Sequence, residues 1–315
     1  MARSRGERDR SWPPDPERLP EPLVDNHTHL DTHAPGAGPF EDTGLEGMGP
    51  YPTVGEQIAR AAAVGVTRMV QIGCDLPAVR WTDDVVRRHD ALLGGVAIHP
   101  NEAPLHAGVR EVGPDGLTAH RQPHHDVSLD EALAEVAATA TRNDHIRVIG
   151  ETGLDQFRAG DRGRTVQRDA FRAHISLAKE LGLALQIHDR DAHDDVLEVL
   201  EGDGAPERTV FHCFSGDAAM ARHCADRGWY LSFAGTVTFG GSHGLREALR
   251  AVPLTQVLLE TDAPYLTPHP YRGRPNAPYL VAATARAVAT ELDIDLGELC
   301  RTVSMTSEQV YGPWR

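Results

Sequence analysis

Long apolar runs are missing from this 315-residue chain. None approaches the roughly 18 residues that a membrane-spanning helix needs, which excludes an integral helical membrane protein. Cysteine is scarce. Cys74, Cys213, Cys224 and Cys300 stand far apart with no CxxC pair, and they read as reduced thiols in a cytoplasmic protein. Lysine is almost absent: Lys179 is the only one among 31 basic residues, and a coding preference for arginine accounts for that. Positive charge is in deficit, with 31 basic against 46 acidic residues and a formal net charge of −15. Such a balance argues against a nonspecific nucleic-acid coat or a binder of anionic membranes, although bound metal ions could still supply a local cationic site. No internal repeat or low-complexity tract is visible. What remains, 40% hydrophobic and 24% charged residues, is ordinary for a soluble globular protein and rules out a disordered or fibrous chain.

Residues 1–22 contain arginine but no apolar h-region, so they do not form a secretory signal. Five arginines, five acids and five prolines in this stretch predict a disordered leader.

From Leu23 onward the chain alternates between short apolar runs and longer amphipathic ones. The runs at 23–31, 68–74, 92–100, 147–155, 183–191, 208–216, 229–237 and 256–264 suit strands buried on both faces, as in a parallel sheet. Helical patterns lie between them. One begins at Thr53 with Glu56 three residues on, and another at Ser128 with Glu131 in the same relation; both are capping boxes. A third runs over 168–182 to a glycine stop, a fourth over 280–292, and a last helix over 295–312. The spacing predicts the α/β class and, within it, a (β/α)8 TIM barrel over 23–315 with an extra C-terminal helix. An open doubly wound sheet is the alternative, and eight evenly spaced units disfavour it. Two loops, 32–52 after the first strand and 107–127 after the third, would lie at the C-terminal face of such a barrel. Each reads equally as a lid or as a passive insertion.

The ionisable residues fall at the strand ends. His27 and His29 end the first run, Glu151 the fourth, His188 the fifth, His212 the sixth and Asp262 the eighth. A parallel barrel gathers those ends in one mouth. His27 and His29 stand at i and i+2, so both rings point to one face, roughly 6.6 Å apart along the backbone. Two neutral imidazoles in that relation can grip one divalent metal. A carboxylate such as Glu151 can bridge two cations, His188 and His212 can hold the second, and Asp262 can complete the first site and accept a proton from water. A lone histidine at a strand end is more often structural. Six such groups on different strands are hard to obtain by accident, and a buried unpaired acid is costly.

The segments DNHTHLD (25–31), GETGLD (150–155), QIHDRDA (186–192), FHCFSG (211–216) and ETDAPYLTP (260–268) resemble, in order and spacing, the signatures of the TatD family of metal-dependent deoxyribonuclease-like hydrolases in the amidohydrolase superfamily. The resemblance covers residues 23 to 312, and AIHP (97–100) and RGRPNAP (272–278) also match. It implies a TIM barrel with two divalent ions (zinc, magnesium or manganese). His27, His29 and Asp262 would ligate one ion, His188 and His212 the other, and Glu151 would bridge. It also implies phosphodiester hydrolysis, often of the 3′-5′ exonuclease kind on DNA, with single strands or 3′ ends as substrate. His99 and Arg190 sit at family positions near the substrate. The chain departs from the family at Asp189, where a serine is usual, at Ala277, where an acid is usual, and in the length of the two loops; these departures bear on substrate choice and remove no ligand.

The expected chemistry is hydrolysis by a water shared between two metals, roughly 3.5–4 Å apart, with Asp262 orienting it and taking its proton. Arg190 or His99 would hold the phosphate or protonate the leaving oxygen. An alternative is hydrolysis of another ester or an amide, such as an RNA-linked ester, at the same centre. Superfamily relatives with a carboxylated lysine on the fourth strand are disfavoured, because Glu151 takes that place. A non-catalytic binding protein is a third reading, weakened by the presence of all six groups. Metal identity, pathway and oligomeric state are left open by the sequence, and a monomer is allowed.

Overall fold

The computed structural model describes residues 9–30 and 51–314. Most of the loop 32–52 therefore lies outside the described residues. Eight strands follow one another around a single sheet in sequence order, and every neighbouring pair is parallel. They are β1 (Leu23–Thr28), β2 (Val66–Gly73), β3 (Leu92–Val96), β4 (Ile146–Asp155), β5 (Ala184–Arg190), β6 (Thr209–Phe211), β7 (Tyr230–Phe233) and β8 (Val257–Leu259). The seam between β8 and β1 is drawn together past the end of β8. Asp262 N–H donates to His27 O at 2.9 Å, His29 N–H donates to Ala263 O at 2.8 Å, and Thr28 pairs with Ala263. This is the (β/α)8 barrel that eight buried runs separated by helices predict.

The helices are α1 (Val54–Ala63), α2 (Leu76–Val85), α3 (Ala103–His106), α4 (Leu129–Arg142), α5 (Asp161–Leu181), α6 (His193–Asp203), α7 (Ala218–Asp226), α8 (His243–Arg250), α9 (Val281–Leu292) and α10 (Leu296–Tyr311). Both expected capping boxes form, at Thr53 with Glu56 and at Ser128 with Glu131. Helix α5 ends at Gly182, whose φ of 61° is left-handed and suits a residue without a side chain. It begins at Asp161, ahead of the expected 168. Its first turn has no side-chain cap of its own; Glu111, from the loop after β3, accepts the Gly163 N–H at 2.6 Å. A cap supplied from 52 residues away leaves no local signal.

Two apolar layers hold the barrel. The outer one lies between strands and helices. The inner one takes Val70 and Ile72, Leu93, Val148, Ala184, Val210, Tyr230 and Leu258 from β2 to β8 in turn, and is closed by Val310 and Tyr311 of α10. The extra C-terminal helix thus plugs the barrel. Along β5 the two-residue period is explicit. Ala184 belongs to the inner layer and Leu185 and Ile187 to the outer, so Gln186 and His188 continue the inward row toward the mouth.

The leader is a correction in part. Residues 9–22 pack against the barrel, although 1–22 read as disordered. Leu19 is buried and its N–H donates to Val64 O at 2.9 Å. The Pro13 carbonyl accepts from Arg60 and from the Tyr279 hydroxyl, and Arg274 and Arg286 reach the carbonyls of Trp12 and Glu17. Composition counts apolar side chains, whereas this segment is held mainly through its backbone acceptors, and its prolines reduce the entropy lost on ordering.

Candidate metal centre

The strand ends bring the six expected groups together at the mouth. His27 comes from β1, with His29 just beyond it. Glu151 lies within β4, His188 within β5, His212 just after β6 and Asp262 three residues after β8. His27, His29, Glu151, His212 and Asp262 are buried, and His188 is half-buried.

The tautomers of the first pair follow from their outer partners. His27 Nδ1 lies 2.8 Å from Gln186 Oε1, while the Gln186 amide donates to Asn26 O at 2.9 Å. His29 Nδ1 lies 3.1 Å from Ile72 O. A carbonyl can only accept, so both rings carry their proton on Nδ1 and turn a bare Nε2 inward. Those two Nε2 atoms are 3.2 Å apart. Around them stand Glu151 Oε2, at 3.4 and 3.8 Å, and Asp262 Oδ1, at 3.7 and 3.4 Å. Two lone pairs and two carboxylates facing one another in a buried space repel unless a cation lies among them. Imidazole nitrogen and carboxylate oxygen are the donors that divalent transition metals take. The donor set fits a metal ion, and one group of donor atoms within 4.8 Å of one another is His27, His29 and Asp262.

Glu151 joins this group to the rest. Its Oε1 is 2.6 Å from His188 Nδ1, 2.8 Å from His212 Nε2 and 3.4 Å from His99 Nε2, while Oε2 faces the first pair. Cys74 Sγ lies 3.5 Å from Oε2. His188 and His212 thus share Glu151 Oε1. Two further donor groups join His212 with His27 and Glu151, and His188 with His99 and Glu151. The imidazoles around Glu151 offset part of its charge. Burial alone would push the Glu151 carboxyl up, but the surrounding His212, His99 and His188 hold it well below its usual range. Burial likewise opposes protonation of His188, yet Asp155 and Glu151 bring it up to about 9, and Glu151 and Glu260 raise His212. His27 is depressed, by burial first and by His212 second.

The other two expected residues sit at the rim. His99 accepts the Asn101 N–H on Nδ1 at 3.0 Å, which leaves its proton on Nε2, facing Glu151. Arg190 is exposed, with its guanidinium 4.1 Å from the centre of the Phe157 ring. Asp189, which replaces the usual serine, is 2.7 Å from His193 Nδ1. Sequence reasoning missed the supporting carboxylates. Asp155 lies 3.3 Å from His188 Nε2, and Glu260 lies 3.3 Å from His212 Nδ1 and accepts the Cys213 N–H at 2.7 Å. Asp25 accepts from both the N–H and the hydroxyl of Thr261, at 2.8 and 2.6 Å, and so fixes β8 beside β1. All three lie inside the motifs quoted above, within four residues of a candidate ligand.

A family model described as TatD related DNase matches residues 24–312. The chain belongs to the TatD family. A TatD protein of Mycobacterium tuberculosis, described as an uncharacterized metal-dependent hydrolase, is 40% identical over 296 residues, covering 92% of this chain and 98% of its own. A Klebsiella pneumoniae relative described as a 3′-5′ ssDNA/RNA exonuclease TatD is 33% identical over 224 residues, covering 70% and 75%. Among solved structures, a TatD homolog of Escherichia coli superposes with a TM-score of 0.73 at 22% identity, over 92% of this chain and 98% of that one. That likeness concerns the fold. As a TatD protein the chain is a metal-dependent hydrolase, and the buried imidazole and carboxylate groups are where such a metal fits. No helix among the described residues is long and apolar enough to cross a membrane. The four cysteines are free.

Proposed function

We propose that this TatD protein cleaves phosphodiester bonds of DNA from the 3′ end, using two divalent ions. His27, His29 and Asp262 would hold one, His188 and His212 the other, with Glu151 between them. The observation that carries the reading is the pair of bare Nε2 atoms 3.2 Å apart beside Asp262 and Glu151. The relative described as a single-strand exonuclease supports the substrate class. Cations bound there would supply Lewis acidity toward a phosphoryl oxygen and acidify water. Imidazole with carboxylate suits zinc, manganese, iron, cobalt or nickel, and a carboxylate-rich site also accepts magnesium.

The chain's own groups divide the remaining work. Asp262, 3.4 Å from His29, orients water and takes its proton. His99 carries its proton on Nε2 and can donate a hydrogen bond from it to a phosphate or leaving oxygen. The exposed Arg190 guanidinium is free to engage a phosphate at the rim while its plane rests on Phe157. Gln186 and Ile72 O keep the two inward rings in the metal-binding tautomer.

No observation favours the lysine-bridged amide hydrolases, since Lys179 Nζ is engaged with Asp203 O at 2.7 Å on the outer helices. The test is elemental analysis and digestion of end-labelled oligonucleotides on one purified sample. The expected result is close to two metal equivalents per chain and stepwise loss from the 3′ end of single-stranded DNA. Metal-loaded protein that leaves DNA intact but hydrolyses a simple ester or amide would replace this reading with the other.

A further inference from the structure

A second gathering of imidazoles lies in the connection from β3 to α4. Glu102 precedes α3, His106 ends it, and His124 and His125 belong to the 3-10 turn Pro123–Asp126. One donor atom from each lies within 4.8 Å of all the others. His106 is 5% exposed. Its Nδ1 donates to Val127 O at 2.8 Å, so its Nε2 carries a lone pair, and that buried atom has no hydrogen-bond partner among the described residues. A buried acceptor without a partner is costly. It is also the arrangement of a metal-binding histidine, whose outer N–H is fixed by a carbonyl while the inner nitrogen waits for an ion.

The neighbours supply the rest. His124 Nε2 is 3.0 Å from Glu102 Oε2. Tetrahedral zinc with bonds of about 2.0–2.1 Å sets its ligand atoms about 3.3 Å apart, close to that separation. Burial would raise the Glu102 carboxyl, but hydrogen bonds from His124 and His125 outweigh it and hold the group down to about 2, so a full negative charge is present. His125 plays a different part. Its Nδ1 accepts the Gln122 N–H at 2.8 Å, which keeps its proton on Nε2, where it donates to Glu102 Oε2 at 2.7 Å.

We propose that Glu102, His106 and His124 form a further cation site of the zinc class, separate from the Glu151 cluster, with His125 positioning Glu102. An ion there ties residues 123–126 to α3. The reading does not depend on the substrate proposed above or on metal at Glu151.

The test uses full-length protein stripped by a chelator, refilled with zinc and freed of excess by gel filtration. Wild type is compared with His106→Gln/His124→Gln and with His27→Ala/His29→Ala. The expected result is that His106→Gln/His124→Gln loses one zinc equivalent per chain relative to wild type. In wild type, zinc slows hydrogen exchange in peptides spanning 102–127, and this response survives in His27→Ala/His29→Ala. Equal zinc content in wild type and His106→Gln/His124→Gln overturns the proposal, as does an exchange response that vanishes with His27 and His29. Should His106→Gln/His124→Gln fail to fold, wild type decides alone: unchanged exchange over 102–127 at saturating zinc overturns the site.

Discussion

Gln186 Oε1 stands 2.8 Å from His27 Nδ1, and the same side chain donates to Tyr311 Oη at 2.8 Å. The C-terminal helix that plugs the barrel is thereby linked, through one amide, to the tautomer of a ring in the mouth. Replacing Gln186 by Met keeps the volume but removes the acceptor. His27 is then free to carry its proton on Nε2, where it cannot bind metal. The expected loss in metal affinity is about 10–100-fold, read by competition with a chromophoric chelator. Affinity equal to wild type would show that the contact does not set the tautomer.

Asp262 is 3.4 Å from His29 Nε2 and has a φ of 52°. Asparagine accepts that left-handed backbone readily, so Asp262→Asn leaves the fold in place. It removes the base that takes a proton from water. Turnover of a phosphodiester is expected to fall by about 10²–10⁴-fold with a melting temperature close to wild type. A variant with full metal loading and undiminished rate would remove Asp262 from the reaction.

The formal charge of −15 makes the mouth, rather than the surface at large, the place where phosphate is held. Few phosphates are then neutralised by protein side chains. The logarithm of oligonucleotide affinity should fall with the logarithm of salt at a slope of about −1 to −3. A slope several times steeper would point to an extended cationic track along the nucleic acid.

Much of this was legible from pattern, for a physical reason. Strands buried on both faces leave near-continuous apolar runs, so all eight were visible, and the ligand-type residues stand out because polar side chains interrupt those runs only near the mouth. Gln186 was not legible, since an amide inside ALQIH looks like a tolerated polar residue. Only its spacing of two from His188 places it on the same inward row. The packing of residues 9–22 depends on guanidinium groups at Arg60, Arg274 and Arg286, far away in sequence. Helix α2 was not among the expected helices, although Asp75 accepts from Ala78 N–H at 2.7 Å and Pro77 stands in its first turn. Helix α6 has no side-chain cap and is set by its packing.

Gly153 pairs with His188 between β4 and β5 at a φ of 139°, and a Cβ built there would sit 2.1 Å from His188 O. Gly153→Ala must push the two strands apart where His188 meets Glu151. The expected cost is about 3 kcal/mol or more, with lost metal binding. Gly228→Ala serves as the control. Its φ of 73° is also left-handed, but nothing lies within 4 Å of a Cβ there, so strain alone should cost about 1 kcal/mol. Similar melting temperatures for the two variants would mean that β4 and β5 yield more easily than their spacing implies.

His174, buried in α5, accepts the Ile98 N–H on Nε2 at 3.2 Å and meets Thr152 Oγ1 with Nδ1 at 2.9 Å. Burial lowers its pKa to about 4 from an ordinary value near 6.5. The folded protein therefore keeps this ring neutral while the unfolded chain binds a proton below pH 6.5. That stability is fully present above pH 6.5 and is lost as the pH falls toward 4, by about 3 kcal/mol in total. His174→Gln keeps an acceptor for Ile98 but cannot titrate. Urea unfolding at pH 7, 6 and 5 should show wild type losing its advantage over the variant step by step. Parallel stability curves for the two proteins across that range would mean that His174 is not the group whose protonation drives the acid loss.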